Sequence, residues 1–153
     1  MTITVGTNSY ISEDDADAYF AARLYADKWT ASTTQDVALL HAASLLDSHI
    51  AWAGRPAADD QAMAWPRLDV PGVAADAIPA AVSKAQCELA LYLLGTDPTV
   101  TPKTAGYKSL TVDTLKLEVN AADRPAVIPP HVAAMLAPLG YPKADRPTFR
   151  VTR

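Results

Sequence analysis

His41, Ser44 and Asp47 are the residue types of a base, a nucleophile and an orienting acid, and they lie three apart in one stretch of the chain. A working triad needs the histidine between the other two, within hydrogen-bond reach of both. On a straight helix, at about 100° per residue, the i, i+6 offset turns Asp47 roughly 240° away from His41. The spacing therefore predicts polar residues at the edge of a core helix and no proton relay. His41, His49 and His131 stand far from one another in the chain, and the lone Cys87 cannot build a thiolate site. Asp14, Asp15 and Asp17 read as negative charge at a helix start, and Asp59-Asp60 as loop solvation, although each group could attract a hard cation weakly. Neither a phosphate loop nor a G-x-G-x-x-G element occurs. These residues predict a protein that is not an enzyme, with no catalytic residue, no metal ligand and no cofactor.

The elements that would carry these residues are mostly helical. Thr2–Val5 alternates and is rich in β-formers, so it predicts a short strand. Ser12 can cap a first helix, with Glu13, Asp14 and Asp15 in its first turn, where the helix dipole favours acids. Ala16, Tyr19, Phe20, Arg23 and Leu24 then form one stripe, which predicts a helix running to about 27–29. A second helix is predicted from Thr33 or Thr34 to Gly54; apolar residues wrap most of its circumference, so it should be the most buried. Residues 55–77 are a long connection holding Trp65-Pro66-Arg67, with Trp65 expected in the core and Arg67 paired to an acid. A third helix opens at Ile78-Pro79, with Pro at the first helical position, and Gly95 is expected as a left-handed C-cap. Leu110 and Val112 alternate, as do Leu115, Leu117 and Val119, with a one-residue slip across Asp113-Thr114 that predicts a hairpin. Pro129-Pro130 starts a short helix that Gly140-Tyr141-Pro142 stops.

The expected fold class is mainly α: a bundle of three principal helices, a small β-hairpin, a short C-terminal helix and an extended tail. The expected divisions are a helical domain at 1–100, the hairpin and short helix at 101–142, and an extended arm at 143–153. Charge divides in the same way. Residues 1–100 hold five Lys/Arg and 13 Asp/Glu, net −8, whereas residues 101–153 hold eight and four, net +4, against −4 for the 153-residue chain. An acidic body argues against a nucleic-acid footprint there. The basic arm, with Arg146, Phe149, Arg150, Val151 and Arg153, could touch phosphates or dock on a protein partner. The opening residues lack a signal peptide's basic and apolar regions, and no stretch approaches the length of a membrane span. One cysteine excludes an internal disulfide.

Three local patterns carry a resemblance. Ser9 to Phe20 (SYISEDDADAYF, with Tyr19 and Phe20), Gln61 to Arg67 (QAMAWPR, with Trp65, Pro66 and Arg67) and Ile78 to Ala90 (with Pro79 and Glu88) occur in the order and spacing seen in small tailed-phage proteins. Together they resemble head–tail connector (adaptor, head completion) proteins of a family often labelled DnaT-like single-stranded DNA-binding. The connector resemblance implies a virion structural subunit made in the host cytoplasm. It would form a dodecameric ring of its own copies at the head–tail interface, with the portal protein on one side and a tail-side completion or stopper protein on the other. Packaged DNA would pass through the lumen without sequence-specific binding, the C-terminal arm would reach the portal, and no membrane would be involved. The DnaT-like label implies the alternative, a single-stranded DNA-binding replication accessory.

Overall fold

Ser12 caps the first helix as its chemistry predicts: its Oγ accepts the backbone N–H of Asp15 at 3.1 Å. The computed structural model describes residues 2–100, 109–112, 115–118 and 126–143. Helix α1 covers Glu13–Ala21 and stops well short of the expected end; a separate turn of helix, α2, covers Asp27–Thr30. The break has a tertiary cause. The Trp29 ring stacks on Phe20 at 4.4 Å between centroids, and its indole N–H donates to Asp17 Oδ1 at 2.7 Å. Docking α2 back on α1 in this way throws the intervening residues outward, and Tyr25 takes a left-handed φ of 59°.

Helix α3, Gln35–His49, and helix α4, Ala80–Leu93, form the most extensive helix pair. Small side chains bring them together: Ala38, Ala42 and Ala43 on α3, Ala85 and Ala90 on α4, with Leu39, Leu46 and Leu89 filling the seam, are all buried. Gln86 is the polar tie across this core. Its Nε2 donates to Leu39 O and Ser9 Oγ, and its Oε1 accepts the Tyr10 N–H at 2.8 Å, so every bond it makes joins a distant part of the chain.

Helix α3 ends at His49 and does not continue to Gly54. Ile50–Trp52 is strand β1, which pairs antiparallel with β6, Gly140–Pro142. A β-branched and an aromatic residue suit an extended backbone, and Gly140 permits the close approach: a Cβ there would meet Ala51 O at 2.7 Å. Strands β2 (Arg55–Pro56) and β3 (Arg67–Leu68) pair inside the long connection. The expected hairpin is present as β4 (Ser109–Val112) and β5 (Leu115–Glu118), with Val112 opposite Leu115. Helix α5, Pro130–Leu136, packs on α4 more extensively than α1 does. The described residues therefore form five helices with three small antiparallel strand pairs, a mixed α/β arrangement in place of the expected three-helix bundle. At the N-terminus the predicted strand reduces to one bridge between Val5 and Ser9, because Asn8 folds the segment on itself by accepting the Thr4 N–H and donating to Thr2 O. Among the described residues no helix is long and apolar enough to cross a membrane.

Candidate nucleic-acid interface

Glu88 lies on α4 where α1 and α5 converge, and its carboxylate organises the surface around it. Arg23 reaches it as a fork, Nε to Oε1 at 2.6 Å and Nη2 to Oε2 at 2.8 Å, while Tyr19 Oη donates to Oε1 at 2.7 Å. His131 Nε2 stands 3.8 Å from Oε2. Burial alone would raise the Glu88 pKa, but the hydrogen bonds from Arg23 and Tyr19 outweigh it and hold the carboxyl below the usual range. The same contact lifts the Arg23 pKa, and burial beside Glu88 pushes the Tyr19 phenol up to about 12.

The third guanidinium nitrogen works on the backbone. Arg23 Nη1 donates to Leu24 O at 2.7 Å and to Tyr25 O at 3.2 Å, which fixes the turn between α1 and α2. Leu24 and Tyr25 are consequently 79% and 87% exposed. Their turn forms one wall of an open groove of about 480 Å³, lined also by Lys28, Leu91, Tyr92 and His131. Tyr92 Oη donates to Ala126 O at 3.2 Å, which ties α4 to the segment before α5. The Lys28 side chain lies across Gly95, where a Cβ would collide with Nζ. Gly95 thus makes room for a lysine and is not the left-handed cap that was expected; the residue capping α4 is Leu94, with helical φ and ψ.

The other sequence candidates sort differently. Tyr19 and Glu88 meet, as described, and Phe20 is buried against Trp29. Pro79 caps α4 one residue before the helix proper. Trp65 is buried and packs edge-on against Trp52, and the Trp65-Pro66 peptide is cis. Among the described residues Arg67 has no acidic hydrogen-bond partner; it donates to the carbonyl oxygens of Ala53, Gly54 and Ala64. Asp47 accepts the Tyr10 hydroxyl and the Ala64 N–H, and burial pushes its carboxyl up, while His41 and Ser44 face solvent, so the three form no relay. Cys87 is buried, and burial together with Glu88 pushes its thiol up to about 12, which leaves it unreactive. Arg146, Phe149, Arg150, Val151 and Arg153 lie outside the described residues.

Tyr25, Lys28 and Tyr92 were not singled out in the sequence, His131 was weighed there only as a metal ligand, and Leu24 was assigned to an apolar stripe. No Gly or Pro marks the end of α1 between Ala21 and Asp27, so local sequence gives no sign that the turn exists.

A family model described as "Putative DnaT-like ssDNA binding protein" matches residues 2–153. The chain belongs to that family. No curated protein and no solved structure matches it. Membership overturns the connector reading: the family is described by single-stranded DNA binding, so a head–tail ring of twelve copies, portal and stopper partners, DNA as mere passenger in a lumen and a place in the virion are all set aside. The three motifs pointed to the DnaT-like label, and the error lay in preferring the connector function to the single-stranded DNA-binding alternative.

Proposed function

We propose that the chain binds single-stranded DNA, as an accessory to replication, and turns over no substrate. The DnaT-like family description supports the ligand class. The single structural observation that carries the reading is Tyr25, an aromatic ring turned into solvent on a turn that Arg23 clamps, beside Tyr92. Single-strand binders combine aromatic platforms for bases with cations for the backbone. The body cannot supply the long-range attraction, because residues 1–100 carry net −8; residues 101–153, at net +4, can.

Fluorescence anisotropy on a labelled oligo-dT and on a duplex of the same length tests the proposal. Saturable binding that prefers the single strand and weakens between about 50 and 200 mM salt is expected. Absence of saturable binding at the lower salt, or equal binding of the duplex, overturns it.

A further inference from the structure

We infer that the groove between the α1–α2 turn and α4 is a nucleobase subsite, in which Tyr25 stacks on an unpaired base and no backbone phosphate is held. This rests on the single-stranded DNA reading and assigns its base contact. Arg23 would be the obvious phosphate hook, yet Nε and Nη2 are committed to Glu88, and Nη1 to the carbonyls of Leu24 and Tyr25. It builds the turn and leaves the ligand to others. The charge around the groove nearly cancels: Arg23 is matched by Glu88, and Lys28 is accompanied by Asp27. A cleft so balanced does not concentrate anions. What it offers is apolar and planar surface, from Leu24, Tyr25, Leu91 and Tyr92, with a volume of about 480 Å³, inside the range of roughly 300–1,000 Å³ for small-ligand clefts.

The conformation of Tyr25 points the same way. A tyrosine at φ 59° is held in a region that side chains other than glycine rarely adopt. Burial does not explain it, since the ring is 87% exposed. A strained residue kept in place by a half-buried ion pair and aimed at solvent suits presentation of the ring to a ligand. Bases in a duplex hide their faces against one another, so such a platform selects unpaired strands.

The test compares oligo-dT with an abasic oligonucleotide of equal length and phosphate number, in the wild type, Tyr25→Ala and Tyr25→Phe. Wild type and Tyr25→Phe should prefer the dT strand. Tyr25→Ala should lose about 5- to 150-fold in dT affinity, the worth of one stacked base, bind the two strands alike, and keep the wild-type dependence on salt. Circular dichroism should be unchanged, since Tyr25 is 87% exposed. If wild type binds and Tyr25→Ala keeps the full preference for dT, the subsite is wrong while the functional reading stands. If the wild type binds neither strand, the functional reading fails and the subsite fails with it.

Discussion

Trp65 and Arg67 are two residues apart and are held by opposite physics. Trp65 is fully buried, so Trp65→Ala should cost about 3–5 kcal/mol in stability, read from the urea midpoint at unchanged m-value. Arg67 is buried as a cation without a carboxylate in hydrogen-bond contact among the described residues, and burial lowers its pKa; three carbonyl oxygens solvate it instead. Their fixed positions across Ala53, Gly54 and Ala64 suit a planar fork, so Arg67→Lys, which keeps the charge, should still lose about 1–3 kcal/mol. Cys87 sets a different response. The unfolded thiol ionises near about 8.5, whereas the folded thiol is pushed up to about 12. Between those values the unfolded chain releases a proton that the folded chain retains. Stability should therefore fall as pH rises above about 8.5, by up to about 1.4 kcal/mol per pH unit from this group. In unfolding titrations of Cys87→Ala the lost packing should lower stability by the same amount at every pH, and above about pH 8.5 the variant should show the shallower decline, so that the gap to the wild type narrows.

At the scale of elements, the α1–α2 turn depends on Glu88, and its pH response has the opposite sign. The carboxyl is held below the ordinary glutamate range by Arg23 and Tyr19, so the stabilisation is fully present above the unfolded pKa of about 4.3 and is lost as pH falls through the lower folded value. Acid unfolding should be less steep in Glu88→Gln than in the wild type below about pH 4.3, and the variant should be less stable at pH 7 because Arg23 loses its partner. Helices α3 and α4, the 109–118 hairpin and α5 were legible in sequence because each writes its own period: wrapped apolar residues, alternation with a slip, a Pro-Pro start. The β1–β6 pair was not legible, since three-residue strands leave no period and their partners lie about ninety residues apart in sequence. The turn was hidden for a related reason. Leu24 continues the α1 stripe, and only the docking of Trp29 on Phe20 and the reach of Arg23 to Glu88, 65 residues away, break the helix before it. The site was thus half legible: Tyr19 and Glu88 were marked by motif, while Tyr25 and Lys28 gain their roles from tertiary contacts alone.

At the scale of the whole molecule, the division of charge decides how DNA would be held. An acidic body repels a polyanion beyond contact range, so a stacking groove on it can work only if another part of the chain brings the strand close. The basic residues of the C-terminal third are the available source, Arg146, Arg150 and Arg153 among them. Each phosphate neutralised on a single strand releases counterions and contributes about −0.7 to the slope of log K against log salt. Replacing these three arginines by glutamine should therefore make that slope shallower by about 2 and weaken binding most at low salt. The preference for oligo-dT over an abasic strand should survive, because it belongs to Tyr25. The two sets of substitutions should then be separable: Tyr25→Ala changes which strand is preferred at every salt concentration, and the arginine substitutions change how binding depends on salt. If the arginine variant keeps the wild-type slope, the phosphates are held elsewhere.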